Sequence, residues 1–199
     1  MTAGPVIVNS GGANISSLRF ALARLGVEAP LSADPERIAA ASHVFLPGVG
    51  AAADAMRRLG ESGLAPVIAE LTRPVLGICL GMQLLFEASE EDGGTDCLRL
   101  VPGRVGRMHA APNVPVPHMG WSRTSVDGRC PLFGGLPDGG WFYYVHGYAA
   151  PPSRATVATA SHGGTFAAAV AYGNFLGVQF HPERSGADGA RVLANFLTM

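Results

Sequence analysis

Cysteine is scarce in this sequence, and the three it has, Cys79, Cys97 and Cys130, cannot all pair. No Cys-x-x-Cys and no Cys/His ligand spacing connects them, so neither a disulfide framework nor a structural zinc site is expected, and no metal is assigned. Charge is scarce as well. Only 15% of residues are charged, with 14 Lys+Arg against 15 Asp+Glu, and this balance leaves no electrostatic case for nucleic acid or an anionic membrane surface. Long apolar runs are missing: no window approaches ~18 unbroken apolar residues, which argues against a transmembrane span. The opening MTAGPVIVNSGG has no basic n-region and reads as the start of a strand instead of a signal peptide. The expected setting is cytoplasmic.

What is present is apolar material and turn punctuation. Hydrophobic residues make up 48% of the chain, enough for a core on both sides of a sheet, and the 27 glycines and 15 prolines follow no short period. Val6 to Val8 is β-rich. Ile15, Leu18, Ala21, Leu22 and Leu25 form a helical stripe that stops at Gly26. Further strands are expected at His43–Leu46, broken by Pro47-Gly48, and at Val75–Ile78, with helices over Ala51–Leu59 and Gly81–Ala88. Beyond about residue 95, short β-like runs take over at 98–101, 141–145, 156–160, 166–172 and 175–180, before a last helix at Ala187–Leu197. The expected fold class is α/β, with residues 1–199 forming one domain. βαβ units in the first half begin a mostly parallel sheet, and the second half adds antiparallel strands.

Gly77-Ile78-Cys79-Leu80-Gly81 lies between an apolar strand and a helix, the pattern of a nucleophile elbow with cysteine in place of serine. Glycines on both sides relieve the crowding of such a turn. Amides at the start of the following helix, Leu80 first, point where an oxyanion forms. The same five residues also suit a buried structural cysteine with packing glycines. Phe180-His181-Pro182-Glu183 bears on that choice. Residues two apart on an extended segment share a side, so Glu183 can reach the imidazole of His181 and orient it as a base. A lone His at a strand end is ordinarily a cap or a surface residue; His-x-Glu accompanied by a glycine-flanked cysteine favours catalysis. Pro47-Gly48-Val49-Gly50, between strand and helix, brings backbone amides to the same sheet edge. Gly48, Gly50 and Ala53 also spell G-x-G-x-x-A, with Glu70 downstream, but a dinucleotide fingerprint follows the first strand of its fold and this one follows a later strand.

GICLGMQ (residues 77–83), PGVG (47–50) and HPE (181–183) together resemble the class I, triad-type glutamine amidotransferases. NSGGANISSLRFALARLG near the N-terminus, PHMGW (117–121), YYVHGY (143–148) and GVQFHPERSG (177–186) are similar to the family of glutaminase subunits of imidazole glycerol phosphate synthases, over about Val6 to Met199. The resemblance implies a three-layer fold with a central mixed sheet and a reaction without cofactors. It implies that Cys79 attacks the glutamine carboxamide, that His181 moves the protons and that Glu183 orients His181. The amides of Leu80 and Val49 are then the oxyanion hole, Val49 after a peptide rearrangement, with Gly48, Gly50, Gln83, His146, Gly147 and Tyr148 around the substrate. One position departs from the pattern. The family commonly has a small hydroxyl residue where this chain has Gly147, which puts part of the grip on the glutamine α-carboxylate in doubt.

The resemblance further implies a heterodimer with a (β/α)₈-barrel cyclase subunit that takes the ammonia through an internal channel. Asn14, His118, Met119, Trp121 and Arg184 are then candidates for the docking face. By composition alone Trp121 reads as a core aromatic and Arg184 as a solvated charge. Two rivals remain: a glutaminase serving another synthase, against which PHMGW argues, and a non-catalytic cysteine sensor on a similar fold, which has no need of HPE.

Overall fold

A computed structural model describes residues 4–10 and 15–199. Asn14, one of the docking-face candidates, lies outside the described residues. In chain order the first half contains β1 (Val6–Val8), α1 (Ile15–Arg24), β2 (Leu31–Ser32), α2 (Pro35–Ala40), β3 (Val44–Gly48), α3 (Ala52–Glu61), α4 (Leu64–Ala69), β4 (Val75–Cys79) and α5 (Leu80–Leu84). The second half contains β5 (Ala88–Ser89), β6 (Thr95–Asp96), β7 (Arg104–Arg107), β8 (His118–Val126), β9 (Gly140–His146), β10 (Tyr148–Ala149), β11 (Thr156–Ser161), β12 (Thr165–Tyr172), β13 (Phe175–Val178) and α6 (Gly186–Phe196).

Nine strands form one sheet in the order β2-β1-β3-β4-β13-β12-β11-β8-β9. The pairs from β2 through β13 are parallel, and those from β13 out to β9 are antiparallel. A second sheet, β10-β7-β5-β6, is built mostly of two-residue strands.

Alternation along the parallel strands divides the core into two layers. Val6, Val8, Val44, Leu46 and Val75 pack with Ile38, Leu59, Leu64 and Ile68 of α2 to α4. Ile7, Phe45, Leu76 and Ile78 pack on the other side with Leu18 and Leu22 of α1 and with Val192, Leu193 and Phe196 of α6. Successive side chains of a strand point to opposite faces, so a strand apolar at every position needs helices on both. The fold is therefore three-layered α/β around a mixed sheet. Among the described residues no helix is long and apolar enough to cross a membrane.

Four expectations need correction. The strand at 43–46 is not broken by Pro47; it continues to Gly48, because Pro47 sits past the last β1 pairing, where the strand has a partner on one side only. The helix expected over Gly81–Ala88 stops at Leu84, since Ala88 and Ser89 pair with β7 and β6. The run Leu98–Val101 is not a strand. Its amides donate to the carbonyls of Leu84, Leu85 and Phe86, which the short helix leaves without internal partners. Finally, β8 was not expected at all, and neither were β2, α2 and α4.

Candidate active site

All the parallel strands end on one edge of the sheet, and the candidate residues gather there, where α/β sheets generally bind ligands. Cys79 is the last residue of β4 and precedes α5 with φ 54° and ψ −113°. A non-glycine residue in this region costs on the order of 1–3 kcal/mol and persists only where its surroundings enforce it. They do so by close approach. A Cβ on Gly81 would lie 1.7 Å from the Leu46 carbonyl oxygen, and one on Gly77 would lie 2.6 Å from the Gly81 oxygen. The chain is thus packed backbone against backbone on both sides of the cysteine.

Register brings PGVG to the same point. Gly48 stands opposite Cys79 in the β3–β4 ladder, and Gly50 turns the chain with φ +90°. Ser10 Oγ donates to the Pro47 carbonyl at 3.2 Å, tying this turn to the end of β1. On the other flank, β13 pairs with β4 through Val178↔Ile78, so the chain leaving β13 passes the cysteine. His181 follows after Gln179 and Phe180. Its own amide donates to Tyr143 O at 2.9 Å, and its carbonyl accepts from Ser185 Oγ at 2.7 Å, which fixes the backbone on both sides of the ring.

His181 Nδ1 lies 2.9 Å from Glu183 Oε1, with the two side chains 14% and 7% exposed. Burial disfavours charge on this imidazole, but the Cys79 sulfur and the Glu183 carboxylate outweigh it and raise the pKa to about 10. Cys79 Sγ donates to the Val145 carbonyl at 3.6 Å and accepts from Gln179 Nε2 at 3.8 Å. A cavity of about 300 Å³ opens over the sulfur. Val49, Gly50, Leu80, Gln83, His146, Gly147, Tyr148 and His181 line it. Gly48 is not among the cavity-lining residues. It lies beneath, where a Cβ would stand 3.0 Å from the Gly81 nitrogen and from Leu80 Cβ. Gln83 Nε2 is engaged with Tyr148 O and Gln179 Oε1, each at 2.9 Å.

Glu91 and Gln179 went unnoticed in the sequence. Glu91 lines the cavity from a short turn after β5, where its Oε2 accepts from Ala52 N at 2.7 Å. Burial raises its pKa. No motif flags a lone acid in such a turn. Of the docking-face candidates, Met119 and Trp121 are 64% and 51% exposed, and Arg184 is exposed with its guanidinium over the Tyr143 ring. Tyr143 in turn meets Trp121 edge-on, so the three form one surface cluster. His118 is different: it is 3% exposed, with its ring turned inward.

A strained cysteine at a strand-to-helix turn, with an imidazole–carboxylate pair at its side, is equipped for acyl transfer. The Glutamine amidotransferase class-I family matches residues 6–199, and the chain belongs to that family. It is 51% identical over 193 residues to the imidazole glycerol phosphate synthase subunit HisH of Xylella fastidiosa (strain 9a5c), a match covering 97% of this chain and 96% of that protein. The HisH subunit of Xanthomonas oryzae pv. oryzae (strain MAFF 311018) is 52% identical over the same length. Solved structures share the fold at much lower identity. A putative GMP synthase subunit from Thermoplasma acidophilum superposes with a TM-score of 0.75 at 21% identity, covering 100% of this chain and 94% of that one. PurLQS from Thermotoga maritima gives 0.72 at 19%, covering 100% and 99%.

Proposed function

We propose that this chain is the glutaminase subunit of an imidazole glycerol phosphate synthase, hydrolysing glutamine to glutamate and passing the ammonia to a cyclase. The observation that carries the reading is the end-to-end identity with HisH subunits, 51% over 97% of the chain, joined to the cysteine, histidine and glutamate gathered at one cavity.

Cys79 is the nucleophile. With its pKa raised to about 10, His181 already holds the proton given up by the thiol; the sulfur attacks the carboxamide carbon while Glu183 holds the imidazolium through Nδ1. The amides of Leu80 and Val49 receive the oxyanion, a contribution worth about 10²–10³ in kcat per donor. Collapse of the tetrahedral intermediate breaks the C–N bond. His181 returns its proton to the leaving nitrogen, ammonia departs and a γ-glutamyl thioester remains. Water activated by His181 then releases glutamate. Gln83, Gly50 and the 146–148 backbone hold the substrate, and the half-buried carboxylate of Glu91, which lines the same cavity, is placed to meet its α-ammonium group. With Gly147 in place of a hydroxyl residue, the α-carboxylate relies on backbone contacts.

The partner in this reading is a (β/α)₈-barrel cyclase that converts a phosphoribosyl-formimino aminoimidazole carboxamide ribotide to imidazole glycerol phosphate and aminoimidazole carboxamide ribotide. It docks on exposed Met119 and on the Trp121–Tyr143–Arg184 cluster, whose Tyr143 carbonyl accepts from the His181 amide. The cytoplasm suits such a reaction, because thiols stay reduced there and all three cysteines are free. The test is glutamate release with and without the cyclase and its nucleotide ligand. Turnover is expected to be weak alone and strongly raised in the complex. Cys79→Ala should abolish glutamine-dependent synthesis and leave ammonia-dependent synthesis intact. Full activity of the isolated chain would refute the coupling, and glutamine turnover by Cys79→Ala would refute the nucleophile.

A further inference from the structure

Two histidines outside the reacting triad face each other in the sheet. His118 and His146 are cross-strand partners in β8 and β9, 3% and 5% exposed, with His118 Nδ1 3.0 Å from His146 Nε2. Dehydrating two imidazoles costs free energy that an apolar pair would not incur, unless every ring nitrogen finds a partner. Here each one does, and a single carbonyl decides where the hydrogens lie. Tyr148 O can only accept, so His146 Nδ1, 2.9 Å away, carries its hydrogen. Burial keeps His146 neutral, with its pKa down to about 4, so Nε2 is an acceptor. The hydrogen between the rings therefore belongs to His118 Nδ1. His118 is also neutral, lowered to about 4 by burial and then by neighbouring His162, so its Nε2 accepts from Ser122 Oγ at 2.9 Å.

The chain continues past Tyr148. The same carbonyl accepts from Gln83 Nε2, whose second hydrogen goes to Gln179 Oε1, and Gln179 Nε2 lies 3.8 Å from Cys79 Sγ. Gly147 and Tyr148 line the cavity over the cysteine, whereas His118 and Ser122 do not. The sequence placed His118 on the docking face through its neighbours in PHMGW. The alternation of β8 assigns it elsewhere: Met119 and Trp121 point out, and His118 and Ser122 point in.

We propose that His118 is a positioning residue for the glutamine site, its Nδ1–H holding His146 and, through it, the Tyr148 carbonyl and the 147–148 backbone against the substrate. The inference rests on the glutaminase reading of the cavity. His118 touches neither glutamine nor the reacting atoms; it sets the shape of the pocket before substrate arrives. Its loss therefore weakens glutamine binding and leaves the chemical step largely alone.

Two measurements test this. Long-range ¹H–¹⁵N spectra of the histidine-labelled full chain should show both His118 and His146 as neutral Nδ1–H tautomers down to about pH 6, below the ordinary imidazole midpoint. Either ring in the Nε2–H form overturns the proposal. In the glutamate-release assay of the complex, His118→Leu should raise the glutamine KM about tenfold, with kcat within about threefold of wild type. His118→Asn places an amide N–H at the Nδ1 position and should restore most of the affinity. An unchanged KM in His118→Leu, a loss confined to kcat, or a folded His118→Asn no better than the leucine variant overturns it. Should His118→Leu fail to fold, Ser122→Ala serves: it deletes the donor to Nε2 and should raise KM about two- to threefold, against no change for a purely structural histidine. Wild-type turnover in the same assay tests the glutaminase reading separately, and the tautomers are read without any turnover.

Discussion

Replacing Gly81 with alanine sets two effects against each other. Gly81 lies inside α5, where alanine is the better helix former by about 1 kcal/mol. The added Cβ, however, would stand 1.7 Å from the Leu46 carbonyl oxygen. A carbon and a carbonyl oxygen approach no closer than about 3.3 Å, so strand and helix must separate by roughly 1.6 Å at that point. The strand is β3, held in its ladders between β1 and β4, and cannot yield without breaking pairs. Overpacking of this kind costs about 1–3 kcal/mol and occasionally more, and a backbone-to-backbone clash belongs at the upper end. The net expectation is a loss of about 2 kcal/mol, or ~4–8 °C in Tm for a chain of this size. Gly60 is the control. It is a helix glycine of α3 with nothing within 4 Å of its added Cβ, so Gly60→Ala should gain about 0.5–1 kcal/mol. Thermal unfolding followed by circular dichroism reads both. Because the same displacement moves the Leu80 amide away from the sulfur, Gly81→Ala should also lose glutaminase activity beyond its loss of stability. A Gly81→Ala protein as stable as wild type, with Gly60→Ala no better, would refute the close-approach argument.

Glu183→Gln keeps an acceptor for His181 Nδ1 but removes the carboxylate charge that helps raise the imidazole to about 10. It also puts an amide where, among the described residues, Glu183 Oε2 has no partner. The expected result is a fall in kcat of about 10²–10⁴ with a lowered His181 pKa in the pH–rate profile, and an unchanged profile would count against the orienting role. Cys97 and Cys130 are 6% and 8% exposed, and burial pushes the first to about 11 and raises the second. A glutamine-analogue electrophile at about pH 8 should therefore label one thiol per native chain, at Cys79; modification of either other cysteine by mass spectrometry would contradict this.

The reacting centre was legible because its chemistry needs fixed residue types at fixed spacing. Gly77, Cys79 and Gly81 announce a crowded turn, and the i, i+2 spacing of His181 and Glu183 brings their side chains together. Long-range pairing then supplied what no local pattern could: Gly48 opposite Cys79, and β13 inserted beside β4. Strand β8 escaped notice because its pattern is inverted. Met119 and Trp121 lie on the exposed face, while a histidine, a glycine and a serine face inward. The helix over 81–88 looked continuous because Leu84, Leu85 and Phe86 are apolar, yet their carbonyls are taken by residues 98–101, a contact that periodicity does not encode. Glu91 escaped for the simpler reason that a two-residue strand and a short turn carry no motif.

Strand β13 is the last to appear in the chain, yet it occupies the middle of the sheet, between β4 and β12. During synthesis, Cys79 would emerge about a hundred residues before His181, which follows that strand. Until residues 175–183 leave the ribosome, β4 lacks the strand that flanks it on one side, and Cys79 lacks His181 and Glu183. If the proposed triad is the reacting centre, a partly made chain should release no ammonia until the sheet closes around its final strand.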